Sequence, residues 1–142
     1  MLFSRRQRLI HRILIVEDEP LVAFDNERLL REAGYEVVAT VDSFAEASAV
    51  IAREAIDLVL TDIGLAGEGD GIDVARVAGA RGIAVLFVTG GCAEEVKPLA
   101  LGCLAKPYTA KVLLDALSAI DDHRQGRPVR RVPPQLILHV AA

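Results

Sequence analysis

The sequence predicts an α/β fold, a doubly wound five-stranded parallel sheet with strand order 2-1-3-4-5. Three observations predict it. Short apolar runs alternate five times with stretches of helical spacing, the pattern of repeated strand–helix–strand units. The runs are almost continuously apolar, as strands buried on both faces are. Four of them end at or beside a polar residue: Glu17 with Asp18, Asp62, Thr89 and Lys106.

Each element has its own local reason. Ile13-Leu14-Ile15-Val16 is the first strand, stopped by Glu17-Asp18-Glu19-Pro20. Proline suits the first turn of a helix, and the acids before it suit the positive end of the helix dipole. Leu21, Phe24, Leu29 and Leu30 recur at near-helical spacing up to Ala33, where Gly34 reads as the stop. Tyr35 to Val41 is the second strand. Ser43 and Glu46 have capping-box spacing and open a second helix through Phe44, Ala47, Val50 and Ile51, ending near Ala55. Leu58 to Thr61 is the third strand and delivers Asp62 at its end. The glycine-rich loop 64–71 leads to a third helix from about Ile72 to Ala80. Ile83 to Val88 is the fourth strand, broken by Gly90-Gly91, and a short helix is expected from Ala93 to Ala100. Cys103-Leu104-Ala105 is a brief fifth strand before Lys106-Pro107. Thr109 caps a last amphipathic helix through Val112, Leu113, Ala116, Leu117 and Ile120, to about His123. Right-handed crossovers put helices on both faces. The result is the flavodoxin-like (βα)5 order, whose switch point between strands 1 and 3 is where ligands bind.

With 142 residues, 52% of them hydrophobic, the chain has material for one domain with a real core and two tails. The expected division is a basic arm over 1–11, a globule over 12–123 and a basic, proline-containing tail over 124–142. All 20 acidic residues lie from Glu17 to Asp122, against eight basic residues there, a balance of −12. Such a body is not a nucleic-acid reader by composition. The other eight basic residues, four arginines in 1–12 and four from Arg124 to Arg131, read as belonging to solvated tails. No apolar run reaches the roughly 18 residues of a membrane span, and Arg12 interrupts the nearest thing to a secretory signal. Cys92 and Cys103 read as two unrelated thiols in a reduced cytoplasmic protein. Leu136-Ile137-Leu138-His139-Val140 is strand-like; it can join a sheet edge, pair with a second copy as a homodimer, or fray.

Glu17, Asp18 and Asp62 meet at the switch point, and three clustered carboxylates repel one another. A hard divalent cation relieves this: Mg²⁺ takes oxygen ligands and keeps some of its waters. Asp18, Asp62 and a backbone carbonyl just after Asp62 are the natural donors. Asp62 is then placed to attack a phosphoryl donor, since aspartate forms acyl phosphates. The Thr89 hydroxyl can donate to a phosphoryl oxygen, and the Lys106 ammonium can pair with a carboxylate or phosphoryl group. Each residue has a plainer reading alone: a helix-start carboxylate, a strand-closing threonine, a surface lysine before a turn. Their concurrence at one end of the sheet is what is specific.

Ile13 to Pro20, Asp62 ending a strand, Thr89-Gly90 and Lys106-Pro107-Tyr108 together resemble the receiver domain of bacterial two-component response regulators, over about residues 12 to 123. The resemblance implies phosphorylation of Asp62 by a histidine kinase or histidine phosphotransfer protein. It implies Mg²⁺ on Asp18, Asp62 and the Gly64 carbonyl, with Glu17 acting through water. It makes Thr89 the switch hydroxyl and Lys106 the phosphoryl partner, and the Lys106–Pro107 bond cis. The family's switch aromatic, three residues before the lysine, is here Cys103, and Gly64-Leu65-Ala66-Gly67 replaces its Met-Pro. Phe87-Val88-Thr89-Gly90-Gly91 looks like the FATGUY subgroup of single-domain receivers, which lack that aromatic.

The nineteen residues after His123 are too few for a DNA-binding module, so the expected output is contact with a downstream protein or a phosphorelay, with no direct DNA binding. The competing readings are a pseudo-receiver that binds without phosphate, an aspartate-nucleophile phosphatase, and a flavin protein. The phosphatase wants a second acid where Gly64 stands, and Glu17-Asp18-Glu19 would repel a flavin phosphate, so the chain reads as no enzyme.

Overall fold

A computed structural model describes residues 7–92, 94–129 and 131–139. Strand β1 (Arg12–Val16) leads into helix α1 (Pro20–Glu32), followed by β2 (Glu36–Val41), α2 (Phe44–Arg53), β3 (Leu58–Asp62) and α3 (Gly71–Ala80). Then come β4 (Ala84–Thr89), a 3-10 segment (Glu94–Leu99), β5 (Gly102–Ala105), α4 (Ala110–Arg124) and β6 (Leu136–Leu138). The sheet order is β2-β1-β3-β4-β5-β6; the pairs from β2 to β5 are parallel and β6 is antiparallel to β5.

The continuous apolar runs sort by parity to the two faces of the sheet, as period-two side chains must. Ile13, Ile15, Leu58, Leu60, Leu86, Val88 and Leu104 pack with Leu30 of α1 and Leu113, Leu117 and Ile120 of α4. Leu14, Val16, Val59, Val85, Phe87 and Cys103 pack with Ala47, Val50 and Ile51 of α2 and Val74, Ala75 and Ala78 of α3. Two cores, one per face, explain why these strands carry no polar alternation.

Helix ends follow capping chemistry. Pro20 opens α1, and Thr109 Oγ1 accepts from Val112 N at the start of α4. Ser43 Oγ accepts from Glu46 N, while a full reciprocal box forms at α3 between Asp70 and Asp73.

The structure corrects three expectations. The sheet has six strands, not five. Gly102 is the physical reason: a Cβ there would sit 2.8 Å from the Ile137 carbonyl oxygen, so only a bare backbone lets β6 come this close. Of the three fates open to the 136–140 segment, the sheet edge is the one adopted, with Leu136 buried on Leu104; Val140 lies outside the described residues. The expected helix from Ala93 to Ala100 is a 3-10 segment, Glu94–Leu99, containing Pro98, which removes an amide donor; Ala93 lies outside the described residues. Cys92 and Cys103 are not unrelated thiols: the loop leaving β4 folds back over β5, their Cα atoms come within 6.1 Å, and they are bonded.

Residues on either side of the 12–123 body also pack onto it. Ile10 is buried in the core beside α4, where Leu9 N and Ile10 N donate to the Asp121 carboxylate at 2.9 and 3.2 Å. Residues 1–6 of the basic arm lie outside the described residues.

Candidate functional site

The carboxyl ends of β1, β3, β4 and β5 lie side by side, so each polar strand-end residue is carried to the same rim. Asp62 closes β3 opposite Val88 of β4. Glu17 and Asp18 follow β1, which β3 pairs with on its other side. Thr89 closes β4, and Lys106 follows β5, its backbone N donating to the Thr89 carbonyl at 2.8 Å.

Carboxylate oxygens of Glu17, Asp18 and Asp62 lie within 4.8 Å of one another. At that separation an ionised pair costs roughly 3.5 kcal/mol at an effective dielectric of about 20. Lys106 relieves part of it: its Nζ donates to Asp62 Oδ2 at 2.8 Å and Glu17 Oε1 at 3.2 Å. Three carboxylates against one ammonium leave the cluster two charges short of neutrality. An all-oxygen donor set with that deficit fits a hard divalent cation such as Mg²⁺.

Glu17, Lys106 and Asp62 differ in environment. Glu17 is buried, with its other oxygen accepting from Glu19 N at 3.1 Å. Burial raises its pKa above the usual carboxylate value, and the Glu19 amide and Lys106 only partly offset this. Burial by itself would lower the Lys106 pKa, but Asp62 and Glu17 outweigh it and hold the ammonium well above its ordinary value. Asp62 is half-buried, its side chain 15% exposed, so its free edge faces the rim.

Thr89 is less tightly bound in. Its Oγ1 accepts from Gly91 N at 3.4 Å, within its own loop. Gly64, two residues after Asp62, is exposed at the start of the glycine-rich loop. The Lys106–Pro107 peptide is cis.

Two residues escaped sequence reasoning. Gly71 opens α3 with its N donating to the Ile63 carbonyl at 2.7 Å, and a Cβ there would fall 1.9 Å from the Asp62 carbonyl oxygen. The glycine therefore fixes how closely α3 approaches Asp62. Its signal was hidden because it is one of four glycines in a short loop. Asn26 is buried on α1 and donates to Tyr108 Oη at 3.0 Å, tying α1 to the turn after Lys106. It lines a small gap with Glu17, Thr61 and Asp62. Its signal was present: it shares the helix stripe of Ala23 and Leu30, where a polar side chain needs a partner.

Comparisons with known proteins agree with this geometry. Residues 13–118 match the model of the response regulator receiver domain. The transcriptional regulatory protein PdtaR of Mycobacterium tuberculosis is 32% identical over 112 residues, covering 75% of this chain and 54% of that protein. The chain thus spans about half the length of the curated relatives it matches. A receiver domain protein from Methanospirillum hungatei has TM-score 0.72 and 27% identity, covering 82% of this chain and 98% of that one. The receiver domain of the sensor histidine kinase PA1611 from Pseudomonas aeruginosa has TM-score 0.66 and 26% identity, covering 76% and 94%; it holds a magnesium ion in its active-site cleft.

Proposed function

The chain belongs to the response regulator receiver domain family, and from that premise we propose that it is a phosphoryl-accepting signalling switch, not an enzyme, whose acceptor is Asp62. One observation carries this reading: Asp62 shares a rim with two further carboxylates within 4.8 Å and a lysine ammonium at 2.8 Å. Its donor is a histidine kinase or a histidine phosphotransfer protein. An Asp62 carboxylate oxygen attacks phosphorus of the phosphohistidine, the P–N bond breaks, and the imidazole leaves as the acyl phosphate forms.

Asp18, Asp62 and the Gly64 carbonyl would hold Mg²⁺, with Glu17 acting through water. When bound, the ion neutralises charge on the phosphoryl oxygens. Lys106 pairs with Asp62 before transfer and with a phosphoryl oxygen after it. The Thr89 hydroxyl donates to another phosphoryl oxygen. Glu17, buried and bonded to the Glu19 amide, positions Lys106. Leu21 and Phe24 are exposed at 80% and 62% on α1, the helix that follows Asp18 in the chain, and offer apolar surface suited to a protein donor.

Residues 12–123 form the receiver unit, flanked by the basic segments 1–11 and 124–142. Phe87 to Gly91 and Cys103 in place of the aromatic support membership of the single-domain FATGUY type. The output is contact with a downstream protein or a phosphorelay, in the cytoplasm. Among the described residues no helix is long and apolar enough to cross a membrane.

Incubation with Mg²⁺ and acetyl phosphate, followed by intact mass, tests the reading. One added phosphate is expected, abolished by EDTA and by Asp62→Asn. No uptake from acetyl phosphate or from any phosphorylated kinase or phosphotransfer protein favours the phosphate-independent binding module instead.

A further inference from the structure

We propose that the Cys92–Cys103 bond is a thiol–disulfide control on the acceptor cleft, an inference that rests on Asp62 accepting a phosphoryl group. The bond joins the loop leaving β4 to strand β5. Cys92 follows Thr89 by three residues, and Cys103 precedes Lys106 by three. The crosslink therefore ties together the two segments that bring Thr89 and Lys106 to the rim.

What lies between Thr89 and Cys92 makes this consequential. Gly90 and Gly91 stand in open space, where a side chain at either would meet nothing within 4 Å. Gly91 N holds Thr89 Oγ1 by a 3.4 Å bond, at the long limit for a hydrogen bond. Beyond the cysteine the chain has other anchors. Val96 is buried in the core, Leu101 N donates to the Val85 carbonyl at 2.9 Å, and His139 N donates to the Leu101 carbonyl at 2.7 Å. Cutting the disulfide thus frees residues 90–92 while the 3-10 segment stays seated. The bridge holds the threonine hydroxyl in place beforehand, and its loss gives that hydroxyl back its conformational freedom.

The chemistry is ordinary exchange. A dithiol reductant attacks the Cys92 sulfur, half-buried and more accessible than Cys103, which is 0% exposed. The Cys92–Cys103 bond breaks, Cys103 leaves as thiolate, and a mixed disulfide forms on Cys92. The second thiol of the reductant displaces Cys92, giving a cyclic disulfide. Two electrons pass to the protein, and its two sulfurs take up two protons. A disulfide in a reducing compartment is characteristically transient and redox-sensing.

The test compares air-oxidised with dithiothreitol-reduced full chain, thiol state checked by alkylation and intact mass. Reduction is expected to speed amide exchange at residues 90–92 on the order of tenfold. It is expected to shorten the lifetime of the acetyl-phosphate-derived phosphoryl group about fivefold, a typical coupling between linked sites. Cys92→Ser should match the reduced protein with or without reductant. Equal exchange and equal lifetime in the two states overturn the proposal, as does Cys92→Ser behaving like the oxidised chain, or both cysteines alkylating after air oxidation. No phosphate uptake in either state overturns the acceptor reading itself, and the exchange comparison then reports separately whether the bond controls the loop.

Discussion

The two halves of the cleft are held by different forces. The acidic half, on β1 and β3, is fixed by burial and by a charge network in which Glu17, Asp62 and Lys106 share short bonds. The other half, from Thr89 to Cys103, has a 3-10 segment where the neighbouring crossovers have helices, a glycine pair, and one covalent crosslink. The acidic half is built to hold one geometry, because charges at such distances tolerate no drift. The Thr89 half is seated at its far end by buried anchors, and the short loop that holds the hydroxyl is tethered by the Cys92–Cys103 crosslink.

Substitutions can break this contrast from either side. The largest effect is expected from Gly71→Ala, which forces α3 away from the Asp62 carbonyl. It should cost about 3 kcal/mol, the upper end for overpacking, measured by urea denaturation. Val96→Ala attacks the other half by removing the buried anchor of the 3-10 segment. Its expected cost is about 1.5 kcal/mol, with hydrogen exchange rising only over residues 94–101.

Lys106→Met acts through charge. In the wild type the Lys106 pKa is raised, since Asp62 and Glu17 outweigh the lowering by burial. The pairing therefore contributes stability that is fully present below the unfolded value of 10.5 and is lost as pH rises through the higher folded value. The variant should lack that alkaline loss; a denaturation series from pH 8 upward, showing parallel curves for the two proteins, would remove the network from the account. Thr89→Ala should change stability by no more than about 0.5 kcal/mol, since the bond its Oγ1 accepts is a long one from Gly91 in its own loop, while clearly shortening the phosphoryl lifetime.

The same contrast separates what the sequence discloses from what it hides. Strands β1, β3, β4 and β5 were legible because burial on both faces leaves an unbroken apolar run. Glu17, Asp18, Asp62, Thr89 and Lys106 were legible because each interrupts such a run at its end. Features that depend on a partner distant in sequence were not. Nothing local in Leu136 to Leu138 names β5, and Gly102 looks like any strand-edge glycine until β6 lies against it. Cys92 and Cys103 meet only because the loop between them folds back. Gly71 matters through one backbone oxygen that its own segment does not contain.

The central claim is that Asp62 itself becomes an acyl phosphate. Borohydride converts an aspartyl phosphate to homoserine, so reduction after Mg²⁺ and acetyl phosphate, followed by peptide mass mapping, reads the acceptor directly. Homoserine at position 62 alone is the expected result. Homoserine at another acid, or at none despite phosphate uptake, would contradict it.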